Sequence, residues 1–510
     1  MEKDQQFERP LTGGGLILAA VLLSMANLIA ILDITIANVS IPNIAGSLGV
    51  TPTQGTWVIT SYAVAEAITV PLTGWFTARY GSVRVFVIAM LGFGLFSGLA
   101  GLATSLEFLV LTRVLQGMAG GPLMPLSQTL LLRIFPKEKA AAATGIWAMT
   151  TLVGPVLGPI LGGWICDNYT WHWIFLINVP FALVCAYLCW KLLEKYETAI
   201  VRNPIDIVGF ALLVIWVGAL QIMLDEGKNL GWFSSKIIIS LAIISFIGFI
   251  AFLIWELTET HPIVDIRIFR HRGFTAAVLT ISLTFAGFFA ANVLTPLWLQ
   301  SIMGYTATNS GTATAWVGIT AFLIAPGVAA MSTKYDPRIL VFFGVIWIGA
   351  IIGVRAISST DMDYWSICIP LMLLGLGMPF FFIPSTAVAL SSVKEEETNS
   401  AAGLMNFMRT LAGAIATSVA TSYWEDSVTI NRAELVGIID SDQSFVSQFI
   451  DQGVPQDMAL GMLEKIVSDQ SVMLATNQIM FDIAILLVAS AFVIWIVPKP
   501  TRAIDPGLSH

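Results

Sequence analysis

Fourteen separate stretches of this 510-residue chain are long and apolar enough to cross a bilayer as helices, a constraint that leaves very few folds open. An unpaired backbone N–H or C=O in hydrocarbon costs several kcal/mol, so a spanning segment takes the form of a helix of about 20 mainly apolar residues or of a closed barrel. The stretches lie at residues 14–38, 54–77, 85–103, 106–132, 140–165, 174–193 and 205–224 in the first half, and at 237–257, 274–298, 311–332, 339–357, 365–391, 400–423 and 476–497 in the second. Only 11% of residues are charged, whereas a soluble globular protein carries about 25%. The polar start, Met1–Pro10, precedes an apolar run too long for a signal-peptide core, so the first span is expected to remain in the protein.

Loops rich in lysine and arginine stay cytoplasmic. With the N-terminus inside, 18 basic residues fall in cytoplasmic segments and four (Lys228, Lys236, Arg432, Lys465) in outer ones, which predicts both termini in the cytoplasm and an even span count. The connection 424–475 is expected outside. It holds nine acids against two bases, a net of −7 beside −8 for the whole chain. Within it Met458, Leu460, Leu463, Ile466 and Val467 recur at helical spacing and predict a short amphipathic helix, either in a solvated cap over the outer mouth or in a docking surface for a partner.

An internal repeat organises the rest. Gly117, Pro125, Ser127, Lys137-Glu138-Lys139 and Gly145 are echoed at similar intervals by Gly375, Pro384, Ser385, Lys394-Glu395-Glu396 and Gly403. Spans one to six are therefore set against nine to fourteen, with seven and eight inserted. The expected organisation is a cytoplasmic N-terminus (1–13), a first six-helix bundle (14–193), a linker with two extra helices (194–273), a second bundle including the outer loop (274–497) and a cytoplasmic tail (498–510). Parallel repeats of this kind place a substrate site near the bilayer midplane, between the halves.

A charge at a helix centre costs about 2.5 kcal/mol or more, so the ionisable residues inside spans are the candidate site. They are Asp33, Glu66, Arg113, Arg409 and, nearer one surface, Asp482. Asp33 is followed by Thr35 and Asn38, a polar stripe before Pro42, and reads either as a proton carrier or as a fixed ion pair with Arg113. Glu66, alone in an apolar run, reads as a proton carrier, as the counter-charge for a cationic substrate, or as structural. Arg409 reads as an anion binder or as a donor to backbone carbonyls. Further residues at membrane depth give a candidate substrate set of Asn38, Trp57, Glu66, Gln116, Gln128, Trp147, Asn292, Asn406 and Arg409, with Asp33, Glu66 and Arg113 for proton coupling. Arg355 and Glu256 lie close enough to span ends to snorkel. Four cysteines and four histidines form no metal-ligand pattern.

Gly154, Gly158 and Gly162 recur at every fourth position with Pro155 and Pro159 between them, a pattern that lets helices approach closely while weakening one of them. The second span ends in Gly74-Trp75-Phe76-Thr77-Ala78-Arg79-Tyr80-Gly81, followed by Arg84, where a glycine turn beside basic residues suits a latch.

These features resemble the major facilitator superfamily. Gly74 to Arg84, with Gly74, Arg79 and Gly81, resembles its loop motif, though Ala78 stands where that motif has an aspartate. Arg113, Gln116, Gly117 and Gly120 are similar to its fourth-helix motif, in which the arginine is linked to proton transfer. Gly145 to Gly163 resembles the fifth-helix motif of antiporters. Leu32 to Val39 with Ile41-Pro42, Gln54 to Ser61, Trp173 to Pro180, Pro262 to Asp265 and Arg409 to Gly413 resemble the fourteen-helix drug/proton antiporters. The resemblance implies an all-α integral membrane fold of two six-helix bundles related by a pseudo-twofold repeat plus two inserted helices. It also implies multidrug efflux driven by a proton gradient, without a cofactor, from a bacterial inner membrane. The members it resembles most work with a periplasmic adaptor protein and an outer-membrane channel. No nucleic-acid partner is expected, and no nucleotide-binding G-x-x-x-x-G-K-[ST] loop occurs that would power a primary pump. The alternative is a dedicated exporter of one metabolite or fatty acid. Thirty phenylalanines, 16 tryptophans and 18 methionines suit adaptable apolar recognition instead.

Overall fold

The protein was analysed as a computed structural model that describes residues 11, 13–135, 140–198, 200, 205–332, 334–394, 397–441 and 454–498; the side chains at 140–149, 151, 152, 155, 398, 399, 440 and 441 are outside that description. Sixteen helices of eight residues or more run through these residues. In the first half they are α1 (Gly13–Leu48), α2 (Trp57–Thr69), α3 (Thr73–Tyr80), α4 (Ser82–Ala100), α5 (Leu106–Gly120), α6 (Leu123–Ile134), α7 (Ala140–Asn168) and α8 (Asn178–Leu193). The inserted pair is α9 (Ile207–Glu226) and α10 (Lys236–Thr258), and the second half holds α11 (Arg272–Ser301), α12 (Ala307–Ser332), α13 (Pro337–Arg355), α14 (Tyr364–Ser391), α15 (Thr398–Ser441) and α16 (Gln456–Val493). Ten helical segments are long and apolar enough to cross a membrane by length and composition. Two of the other predicted spans are each broken once, at Pro71 between α2 and α3 and at Gly121-Pro122 between α5 and α6, because proline supplies no N–H to the helix ladder. The arrangement is compatible with fourteen spans. Below, the terminus end is where α1 begins and α16 finishes, and the loop end is the opposite one.

The repeat is visible in packing. Gly117 of α5 seats against α2, where a Cβ would meet the Tyr62 carbonyl oxygen at 2.4 Å, and Gly375 of α14 seats against α12, where a Cβ would meet the Val317 carbonyl oxygen at 2.2 Å. Each glycine thus lets the fourth helix of its half touch backbone on the second. The inserted pair lies at the periphery and turns apolar side chains outward, among them Ile207, Ile215, Ile237 and Phe246, as helices bathed in lipid do.

The small residues of α7 serve two faces. Gly154, Gly158 and Gly162 lie against Ile31, Thr35 and Ile36 of α1, within the first half. The face bearing Pro159 and Gly163 meets α12 of the other half: a Cβ on Gly163 would be 2.3 Å from the Ala307 carbonyl oxygen, and one on Gly311 would be 2.0 Å from that of Pro159. The helix runs without a break through Pro155 and Pro159. At the loop end Asp167 caps α12, its carboxylate accepting from the N–H groups of Ala307 at 3.2 Å and Thr308 at 2.7 Å. Gln300 of α11 donates to the Val39 carbonyl of α1 at 2.9 Å. One apolar core runs from the second half into Ala37, Ile41, Ile59 and Ala63, so the halves meet in a dry seam at this end.

The connection 424–475 differs from the expected loop with a short amphipathic helix. Its two sides continue α15 and α16 as a helical hairpin, joined by Trp424 to Thr476 at 2.9 Å, Asn431 to the Ser471 carbonyl at 3.4 Å and the Arg432–Glu464 ion pair at 3.1 Å. The physical reason is the i, i+4 stripe Ala459, Leu463, Val467 and Ser471, which is buried and extends the transmembrane pattern into the polar segment. Residues 442–453 lie outside the described ones.

Gly311→Ala is expected to force α12 from α7 and open the loop-end seam. Overpacking costs about 1–3 kcal/mol, a shift of roughly five- to 150-fold in a two-state balance. The check is labelling of a single cysteine placed in the seam in intact membranes, with faster labelling expected in the variant.

Candidate functional site

The centre of the first half is a closed polar knot. Arg113 of α5 donates through Nη1 to Asp33 Oδ2 of α1 at 2.5 Å and to Gln116 Oε1 at 2.7 Å, and through Nε to the Val58 carbonyl at 2.9 Å. Asp33 Oδ1 accepts from Gln116 Nε2 at 3.0 Å and from Asn178 Nδ2 of α8 at 2.8 Å. Asn178 also donates to Ser97 of α4 at 3.0 Å, and the Arg113 guanidinium lies 4.2 Å from the Tyr62 ring centroid and 5.3 Å from that of Phe175. Both charged side chains are 0% exposed. A buried ion pair is sustained when its remaining lone pairs and protons are also bonded. Here both Asp33 oxygens and Arg113 Nε and Nη1 are engaged, while Arg113 Nη2 is buried without a partner against the aromatic rings. Every helix in the knot belongs to the first half.

Glu66 is placed differently. It is 6% exposed on α2, and the charged group acting on it most strongly is Arg409 of α15, ahead of Asp33 and Arg113. The guanidinium of Arg409 lies 5.3 Å from the ring centroids of both Phe285 and Phe382, and its Nε is buried without a hydrogen-bond partner. Glu66 and Arg409 thus sit on helices α2 and α15, which pack together across the two halves, near enough to act on one another but without an ion pair between them, and the second-half side of this contact is aromatic.

The other candidates divide. Asn406 shares a face of α15 with Arg409 three residues on, and Asn292 shares a face of α11 with Phe285 and the Phe289 ring stacked on it; both asparagines are half-buried. Asn38 is 2% exposed, and neither amide atom has a partner. Gln116 is 0% exposed and bonded to both Asp33 and Arg113, so it is part of the knot rather than open to a cavity. Trp57 is half-buried at the loop-end start of α2, about 13 Å from Glu66 at 1.5 Å per residue. Gln128 is half-buried on α6, apart from this cluster, and the side chains of Trp147 and Pro155 lie outside the described ones. Asp482 is exposed on the outside of α16. Glu256 and Arg355 are 0% and 7% exposed rather than snorkelling, Arg355 reaching Thr295 Oγ1 at 2.6 Å.

Of the loop motif, Gly81 adopts φ +91 at the turn into α4, and a Cβ there would collide with the Glu197 carboxylate at 2.3 Å. Glu197 accepts from the N–H groups of Val83 at 2.9 Å and Arg84 at 3.0 Å and so caps the start of α4. Gly74 meets nothing within 4 Å, and Arg79 lies over the Trp75 ring at 5.7 Å. Asp225, at the loop end of α9, was absent from the candidates. It accepts from Thr60 of α2 at 3.1 Å and from Gln221 Nε2 at 3.0 Å, while Gln221 donates to Ser418 of α15 at 2.5 Å. Lys228, just beyond, pairs with Glu425 at 3.7 Å and Asp426 at 3.2 Å. The inserted helix thus ties both halves together beside the seam.

Two pseudo-equivalent halves of membrane-length helices, closed at one end, are the architecture of a multi-pass membrane transporter. The chain belongs to the Major Facilitator Superfamily, whose family model matches residues 23–417. It is 42% identical over 496 residues to the multidrug export protein EmrB of Haemophilus influenzae, covering 96% of this chain and 97% of that one. It is 39% identical over 495 residues to the fatty acid resistance protein FarB of Neisseria gonorrhoeae, covering 96% and 98%. The same fold recurs in a peptide transporter of the POT type, with a TM-score of 0.66 at 14% identity over 98% of this chain and 100% of that one.

Asp33→Ala is expected to cost about 3–5 kcal/mol, because it leaves Arg113 charged, buried and unpaired. The thermal midpoint of the purified protein should fall well below that of Asp33→Asn, which keeps an acceptor for Arg113.

Proposed function

We propose that this protein exports hydrophobic toxic compounds from the cytoplasm of a bacterium in exchange for protons, by alternating access between its halves in the inner membrane. Both termini then lie in the cytoplasm, and the loop end faces outward. The carrying observation is that Glu66 lies on a helix packed against the Arg409-bearing helix of the other half, with Arg409 the strongest charge acting on it, whereas every partner of Asp33 lies within the first half. Rocking of rigid halves changes the surroundings of Glu66 and leaves those of Asp33 intact. A carboxylate that gains and loses its cation with each swing binds and releases a proton in step with the motion. Glu66 is accordingly the coupling residue, and the Asp33–Arg113 knot holds Val58 of α2 against α5. Asn38, Asn292, Asn406, Phe285 and Phe382 line the substrate path. One proton moving through 100 mV supplies roughly 2.3 kcal/mol, enough to concentrate a substrate appreciably.

Support for an exporter of many compounds comes from the similarity to EmrB and from the aromatic, weakly polar wall. The alternative, a dedicated exporter of a fatty acid, has the similarity to FarB and the fixed cation of Arg409 in its favour. A panel of drugs and fatty acids competing for flux into inverted vesicles separates the two. In the same vesicles under an imposed pH gradient, Glu66→Gln is expected to abolish gradient-driven uptake while substrate binding persists; undiminished uptake would remove Glu66 from coupling.

Partners follow the hairpin. α15 runs 18 residues past its predicted span, about 27 Å at 1.5 Å per residue, and the projecting arms expose Val436, Met458, Leu460, Met462 and Ile466. A periplasmic adaptor that passes substrate to an outer-membrane channel fits this surface. Deleting 434–464 should impair efflux from whole cells far more than uptake by vesicles, whereas equal loss in both assays would make the hairpin a structural cap.

A further inference from the structure

At the terminus end of the inserted pair two carboxylates meet in a way the transport cycle does not use. Asp206, the N-cap of α9, accepts through Oδ1 from the Gly209 N–H at 2.8 Å and from Trp255 Nε1 at 2.8 Å. Glu256, in the last turns of α10, accepts through Oε2 from the Val264 N–H at 3.1 Å. The remaining oxygens, Asp206 Oδ2 and Glu256 Oε1, are both buried and both without a hydrogen-bond partner, and Glu256 as a whole is 0% exposed. They point at the same spot. A Cβ built on Gly209 would lie 2.2 Å from Asp206 Oδ2 and 2.6 Å from Glu256 Oε1, so the two oxygens are separated by no more than the sum of those distances. Glycine at 209 leaves the space in which they converge.

Two ionised carboxylates this close and this dry repel strongly, and each bare oxygen forfeits the hydrogen bonds it had in water. No compensating cation faces them among the described residues. The charged groups acting on Glu256 are Asp206, Asp265 and Glu259, all acids. Arg267 turns its guanidinium to the Leu257 and Glu259 carbonyls, and Arg270 pairs with Glu397. No group of three or more histidine, cysteine or acidic residues that would hold a metal ion occurs among the described residues.

We propose that Asp206 and Glu256 hold one proton between them, as a protonation site separate from Glu66. The proton, taken from solvent, resides on Glu256 Oε1, and the resulting O–H donates to Asp206 Oδ2. The charge stays on Asp206 because its Oδ1 already accepts two N–H bonds, which favour the ionised form, whereas Glu256 accepts one. The contact joins the entry of α9 to the last turns of α10 and, through Val264, to the chain entering the second half. Losing the proton sets two anions face to face and loosens all three. A group protonated in the folded state and ionised in the unfolded one contributes stability at low pH that is lost as pH rises.

The test uses the full-length protein in nanodiscs. Infrared difference spectra of wild type minus Glu256→Gln at neutral pH should show a protonated carboxyl band that only the wild type carries. The thermal midpoint of the wild type should fall between about pH 5 and pH 7, and that of Glu256→Gln, whose amide also donates to Asp206, should fall less; vesicle transport should survive in the variant. Asp206→Asn is the second variant: its amide donates to Glu256, which then ionises, and the band should vanish equally. An unchanged band and an unchanged pH slope in both variants would overturn the proposal. So would stabilisation of the wild type, but not Glu256→Gln, by added sodium or calcium, since a cation would then fill the place given to the proton.

Discussion

A bare charge in a low-dielectric interior is so costly that each buried ionisable group must be paired, neutralised or placed where water reaches it. This protein uses more than one of these solutions, and its architecture follows from where each is applied. Arg113 and Asp33 are paired inside the first half, with Gln116 and Asn178 completing the bonding. Glu66 and Arg409 sit on packed helices that belong to different halves. Asp206 and Glu256 meet no cation among the described residues, and the solution proposed there is a shared proton.

The division between fixed and exchangeable charge is what separates scaffold from moving part. A knot whose members all belong to one half adds rigidity to it, because removing any member strands the others. A pair split between halves links electrostatics to position. The backbone-level contacts of α7 serve the same separation: its glycines lock onto α1 within the half and rest on α12 across it. One helix is thus both a wall of its own bundle and the bearing surface for the other.

The chain's apolar runs and the spacing of its glycines made the membrane fold and the two halves legible, since both depend on patterns local to a helix. Gly117 and Gly375, matched in sequence, occupy matched packing positions. The roles of the charges were less legible, because they depend on which helices become neighbours. Asp33 and Arg113 stand 80 residues apart, and their pairing was one of two readings. Gln116 looked available for substrate until its partners were known. Asp225 and Asp167 lie just beyond the predicted ends of spans, where an acid reads as an ordinary loop residue. Glu197 lies in the linker after the first bundle, and only the fold brings it to Gly81. The helical spacing within 424–475 was legible, but not that the stripe from Ala459 to Ser471 continues the spanning helix, because the acids around it read as a loop.

The inserted helix α9 has a position that the two halves lack. Its loop end grips Thr60 on one side and Ser418 on the other through Asp225 and Gln221, while Ile207 and Ile215 lie against the lipid. Any parting of the halves at that end must break one grip and leave α9 riding with the other. Lateral tension or a change of bilayer thickness, acting on the exposed flank of this helix, would therefore be delivered to the contacts that bolt the loop end.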